Sequence, residues 1–169
     1  MITKNPMQLK AYIKNMAIDK KISAQLVMQN YMMERLLERV TLSEYKQNFI
    51  LKGGFLIAAI VGLDTRTTLD IDTTVKGFDL THESIKSIFE EICEIKVDDD
   101  VTFVVNRTTD IRETDDYPGI RVSLTAHYPP LKVPISVDVT TGDKITPHEI
   151  EYCFKLLFDD RSVSIMAYN

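Results

Sequence analysis

Three acidic residues and a pair of glycines carry the chemistry that is legible in this chain. Asp70 and Asp72 stand two apart in Leu69-Asp70-Ile71-Asp72, inside a stretch over residues 69–75 that reads as a strand. Side chains of a strand alternate, so both carboxylates project from one face while Leu69 and Ile71 turn to the core. Two like charges so close repel and raise each other's pKa unless a cation lies between them. An isolated Asp-x-Asp is more often a solvated strand face, and Asp138 tips the reading. It sits in Pro134-Ile135-Ser136-Val137-Asp138-Val139, where alternation groups it with Ser136 and Thr140 on a polar face. If the two strands adjoin, three carboxylates converge on one patch. Such a set can hold two hard cations about 3.5–4 Å apart, the arrangement that clamps attacking and leaving oxygens in phosphoryl or nucleotidyl transfer. Gly53-Gly54 follow a short apolar run, Phe49-Ile50-Leu51, and precede an all-apolar stretch over residues 55–61. Between a strand and a helix, glycines let the backbone approach a ligand, and the free N–H groups of the helix favour anions. A plain tight turn is the alternative.

The elements that must position these residues follow from pattern. Residues 7–52 contain neither Gly nor Pro, which suits uninterrupted helix. Asn5-Pro6 reads as an N-cap with proline at the first helical position, and Leu9, Tyr12, Ile13 and Met16 fall on one face. Ser23 opens a second helix, with Leu26, Met33, Leu36, Leu37 and Val40 inward and Glu34, Arg35, Glu38 and Arg39 expected to face water. Thr81 caps a third helix carrying Ile85, Ile88, Phe89, Ile92 and Ile95. Residues 55–61 are expected to form a buried helix ended by Gly62. Ile120, Val122, Leu124, Ala126 and Tyr128 alternate with polar residues, Tyr128-Pro129-Pro130-Leu131 breaks the run, and Val133 to Val139 resume it, so an antiparallel pair is expected. Residues 154–158 and 163–166 are expected as final strands, and His148 at the start of a helix after Pro147. The fold class is α+β (mixed α/β), one central mixed sheet flanked by helices. Residues 1–48 form an N-terminal helical pair packed on a core over residues 49–169.

The chain has 169 residues, 44% hydrophobic and 27% charged, which excludes a disordered tail. No signal-peptide pattern or membrane-length apolar run is present, and two cysteines are too few for a disulfide framework, so a cytoplasmic protein without membrane partners is expected. The net charge of −5 is uneven: residues 1–52 carry +5 and residues 53–169 carry −10. An acidic body argues against non-specific duplex binding and suits a carboxylate site that accepts anionic substrate through a divalent cation.

Lys52-Gly53-Gly54, the spacing to Arg66-Thr67-Thr68-Leu69-Asp70-Ile71-Asp72 and the later Ser136-Val137-Asp138 resemble the DNA polymerase β-like nucleotidyltransferase superfamily. More narrowly, the chain resembles the abortive-infection nucleotidyltransferase toxins of type IV toxin–antitoxin pairs. The resemblance spans about residues 49–143, with Gly142-Asp143 and Thr146-Pro147 also similar. It implies a polymerase β-like fold and transfer of NMP from an NTP to an acceptor hydroxyl, on RNA (a tRNA 3′ end) or protein, with a cognate antitoxin as partner. Asp70 and Asp72 would bind two Mg²⁺ ions, and Asp138 would hold the catalytic ion and help deprotonate the acceptor. Gly53 and Gly54 would cradle the β and γ phosphates, bordered by Arg66, Thr67 and Thr68; Arg66 either contacts phosphate or pairs with an acid such as Asp64. The family's helical C-terminal region is expected to be absent. The alternative is an inactive nucleotide- or partner-binding module of the same fold.

The remaining candidates have blander readings. His82 is expected in a solvated first helical turn, His127 on the polar face with Arg121, Cys93 and Cys153 as packing residues, and Asp98-Asp99-Asp100 as a solvated turn.

Overall fold

The computed structural model describes residues 6–52, 70–114, 117–141 and 149–168. Among them are helices α1 (Pro6–Lys20), α2 (Ala24–Leu42) and α3 (His82–Glu94). The strands are β1 (Phe49–Leu51), β2 (Asp70–Val75), β3 (Thr102–Thr114), β4 (Tyr117–Tyr128), β5 (Leu131–Thr140), β6 (Glu149–Lys155) and β7 (Ser162–Tyr168). They form one sheet in the order β3-β4-β5-β2-β1-β7-β6. β2 runs parallel to β5 and β1 to β7, while the other neighbours are antiparallel. The sheet is therefore mixed, as the α+β reading expects.

Local signals account for most element starts. Ser23 caps α2 by accepting from the Leu26 backbone N–H at 3.1 Å. Thr81 and Ser84 cap α3 reciprocally, each side chain accepting from the other's backbone N–H. Ile85, Ile88, Phe89 and Ile92 of α3 are buried at helical spacing. On β4, Ile120, Val122, Leu124, Ala126 and Tyr128 are buried, the alternation the sequence predicts. β4 and β5 pair about the Pro129-Pro130 turn, with Tyr128 opposite Leu131. The helices share one side of the sheet: Leu36, Leu37 and Val40 of α2 meet Leu51, Ile71, Phe89, Val137 and Ile165. Each fully buried aliphatic or aromatic side chain there contributes about 1.5–3 kcal/mol.

Three expectations are corrected. Glu34, Arg35, Glu38 and Arg39 do not face water; all four are buried. Arg39 donates to both oxygens of Asp99 at 2.9 Å and to the Val101 carbonyl at 2.7 Å, so Asp99 is buried as well and the turn around it is not simply solvated. Arg35 pairs with Glu38 at 2.7 Å, Glu38 accepts from Arg161 at 2.9 Å, and Glu34 accepts from the Leu157 N–H at 2.7 Å. Buried charges persist only when paired, and these pairs tie α2 to the entrance of β3 and to the β6–β7 turn. Second, the residues after His148 form β6, not a helix, with β6 and β7 pairing from Glu149↔Tyr168 to Lys155↔Ser162. Third, Cys153 is exposed rather than packed, whereas burial pushes the Cys93 thiol up to about 11. The expected helix over residues 55–61 and the Asn5 cap lie outside the described residues.

Candidate active site

β2 and β5 are short β-branched runs that pair in parallel, and their register sets Asp72 beside Asp138, Asp70 beside Ser136 and Thr74 beside Thr140. Ile71, Val75, Val137 and Val139 fill the helix-covered side. Residues paired across a ladder share a face, so Asp72 and Asp138 stand together on the other side. Neighbouring strands lie about 4.8 Å apart, a spacing from which two carboxylates can reach one ion. For Asp70 the structure describes the backbone register and not the side chain.

Asp138 is only 5% exposed. Arg121 of β4, its partner across the antiparallel ladder, donates from Nε to Oδ1 at 2.7 Å and from Nη2 to Oδ2 at 3.0 Å. A bidentate guanidinium compensates a buried carboxylate and fixes its plane. The Thr73 hydroxyl donates to the Asp138 carbonyl at 3.2 Å, locking β2 to β5 at this level.

A second cation borders the pair. The Lys52 N–H donates to the Asp72 carbonyl at 2.7 Å, and the Lys52 ammonium donates to Thr140 Oγ1 at 2.9 Å, two residues along β5 from Asp138. Neither Lys52 nor Arg121 is among the site residues that the sequence predicts. The signal for Arg121 was its place on the polar face of β4, which a tight turn at Pro129-Pro130 brings opposite Asp138. For Lys52 it was the position directly before Gly53.

Asp72 and Asp138 are hard oxygen donors of the kind Mg²⁺ takes, and their shared face fits such an ion. Both oxygens of Asp138 are engaged by Arg121, so a cation there competes with the guanidinium. Among the described residues no three His, Cys, Asp or Glu side chains gather into a metal-holding group. Gly53, Gly54, Arg66, Thr67 and Thr68 lie outside the described residues.

The histidines stand elsewhere. His82 Nδ1 and Nε2 lie 2.7 Å from Thr108 Oγ1 and Asp110 Oδ1, pinning the start of α3 to β3. Thr108 pairs with Val122, a core-facing residue, so this cluster is on the opposite side of the sheet from Asp138. His127 lies on the Arg121 face, opposite Lys132 and far along the ladder from Asp138.

Among the described residues no helix is long and apolar enough to cross a membrane. A family model described as the nucleotidyl transferase AbiEii toxin of a type IV toxin–antitoxin system matches residues 35–169. No curated protein matches the chain. Among solved structures, JHP933 from Helicobacter pylori is similar, with 11% identity and a TM-score of 0.48 over 87% of this chain and 53% of that one. The chain thus spans about half the length of that protein.

Proposed function

The chain belongs to the AbiEii family of nucleotidyl transferase toxins of type IV toxin–antitoxin systems, and from that membership we propose that it transfers NMP from an NTP to an acceptor hydroxyl on a polymer. Family membership implies an antitoxin as partner. The observation that supports the reading most is the register that sets Asp72 beside Asp138.

In this reading the fold is polymerase β-like and Asp70, Asp72 and Asp138 hold two Mg²⁺ ions. Bound there, the ions would supply electrostatic stabilisation of the phosphate oxygens where charge develops. The acceptor oxygen forms a bond to the α-phosphorus, the bond from that phosphorus to the β-phosphate bridging oxygen breaks, and pyrophosphate leaves. Asp138 takes the acceptor's proton, and its carboxylate is held in one plane by Arg121 until substrate arrives. Lys52, hydrogen-bonded to Thr140 beside the carboxylates, offers a cation to the triphosphate. Gly53 and Gly54 receive its β and γ phosphates, with Arg66, Thr67 and Thr68 bordering them.

The test uses NTP labelled at the α or the γ position, incubated with Mg²⁺ and total RNA or protein. The reading expects the α label on the acceptor, the γ label in pyrophosphate, and neither product with Asp138→Asn. Nucleotide that binds without label transfer would assign the chain to the inactive binding module instead. Release of nucleoside diphosphate with the γ label on the acceptor would make it a phosphotransferase.

A further inference from the structure

A groove of about 470 Å³ opens between α1, the start of α2 and the first residues of β5. Its apolar lining is aliphatic: Ile13 comes from α1, Met28 from α2 and Val133 from β5. Val133 belongs to the buried set of β5 that continues as Val137 and Val139 under the helices. The groove therefore lies on the helix-covered side of the sheet, away from the face that carries Asp138. It is a surface separate from the candidate active site.

Charge sets this surface apart. Lys10, Lys14 and Lys132 are its charged lining residues, all exposed, and no carboxylate is among the described residues that line it. Lys10 and Lys14 are one helical turn apart on α1, so their side chains leave one face about 6 Å apart. Residues 6–33 hold four lysines and a single acid, Asp19, whereas residues 53–169 sum to −10. Gln29 and Pro134 also line the groove. Gln29 is 8% exposed, and its Nε2 donates to the Pro134 carbonyl at 3.3 Å. That bond leaves Oε1 as a buried acceptor, and it has no hydrogen-bond partner among the described residues. Buried acceptors ordinarily have a donor.

We propose that this groove docks an acidic, aliphatic-rich polypeptide segment of a partner protein. Carboxylates of the segment meet Lys10 and Lys14, its aliphatic side chains pack on Ile13, Met28 and Val133, and one of its N–H groups donates to Gln29 Oε1. Charge complementarity carries the choice of an anionic partner. The lining carries the choice of peptide over nucleic acid, because it holds no arginine to fork a phosphate and no aromatic ring to stack a base. Met28 suits such a partner, since a thioether side chain adapts its shape to apolar surfaces. The inference stands apart from the transferase reading, in which no lining residue has a role.

The test follows, by fluorescence anisotropy, binding of a fluorescein-labelled amphipathic peptide of glutamate and leucine to the 169-residue chain. Two charge-matched variants are compared: Lys10→Gln with Lys14→Gln in the groove, and Lys86→Gln with Lys96→Gln, exposed lysines outside it. The groove variant should bind at least about threefold more weakly, the loss of two exposed ion pairs, and the other should bind as wild type does. A peptide with serine in place of leucine should bind wild type at least about tenfold more weakly, because it leaves the aliphatic lining uncovered. The proposal is overturned if wild type does not bind the glutamate–leucine peptide, or if the serine peptide binds equally well. Equal losses in the two lysine variants overturn it too, since they would show attraction to overall charge. Single-stranded RNA that displaces the peptide, and itself loses affinity in the groove variant alone, would give the groove to nucleic acid instead.

Discussion

Arg121 stands directly across the β4–β5 ladder from Asp138 and grips both of its carboxylate oxygens, at 2.7 and 3.0 Å. The carboxylate is nearly buried while the arginine side chain is 43% exposed, so the pair faces the candidate cleft with its cation outward.

Removing that cation leaves Asp138 buried without a partner. Arg121→Gln should therefore destabilise the chain by about 1–3 kcal/mol in urea unfolding. Added Mg²⁺ should stabilise the variant more than the wild type, because the ion no longer competes with a guanidinium. Equal Mg²⁺-induced shifts in the two proteins would show that Arg121 does not guard a cation site.

Substituting the carboxylates isosterically separates chemistry from folding. Asp72→Asn and Asp138→Asn should each abolish growth inhibition when the chain is expressed in a bacterial host, with far-ultraviolet circular dichroism unchanged. Toxicity lost only together with the folded spectrum would remove the support these residues give to a catalytic reading.

The α2 network predicts a pH dependence. Burial pushes the Glu34 carboxyl up from 4.5 to about 7, against the nearby Arg35 and the Leu157 N–H. Its folded-state pKa lies above the unfolded value, so the stability linked to Glu34 is fully present below about pH 4.5 and is lost as the pH rises through about 7. Glu38 acts oppositely: despite burial, Arg161 and Arg35 hold its carboxyl below the ordinary value, so its contribution disappears as the solution becomes acidic. Glu34→Gln should flatten the decline in unfolding free energy between pH 5 and 7.5 (roughly the window of that titration), and an unchanged slope would refute the assignment.

Arg39 is the most committed of these charges. Arg39→Ala strands the buried Asp99 and should cost about 3–5 kcal/mol, read by chemical denaturation. Combining it with Asp99→Asn should recover part of that loss, since the stranded anion is gone.

How far the sequence reaches is visible in particular residues. The β4–β5 pair is legible because alternation and the Pro129-Pro130 break jointly set its register. From the closing pair Tyr128↔Leu131, equal steps back and forward arrive at Arg121 and Asp138. α3 is legible because Thr81 and the isoleucines at helical spacing agree on one answer. The charged side of α2 misleads because Glu34, Arg35, Glu38 and Arg39 have the spacing of a solvated stripe. Their partners come from far along the chain, Asp99 and Val101 sixty residues or more away and Leu157 and Arg161 more than a hundred. No local pattern reports them. The start of β6 misleads because Pro147 imitates a helix opening, while Ile150, Tyr152 and Phe154 alternate as a strand does. Of the site, the Asp72–Asp138 juxtaposition follows from alternation plus strand adjacency and Arg121 from the register set at Pro129-Pro130, whereas the bond from the Lys52 ammonium to Thr140 joins residues 88 apart and has no local signal.

The proposal that Asp72 and Asp138 together hold a divalent cation is tested most directly by titrating Mn²⁺ into the wild type, Asp72→Asn and Asp138→Asn in the presence of a non-hydrolysable NTP and following bound Mn²⁺ by electron paramagnetic resonance. Affinity falling at least about tenfold in each variant, the loss of one charged ligand at about 1.4 kcal/mol or more, is the predicted result. Mn²⁺ bound equally well by all three chains would contradict it.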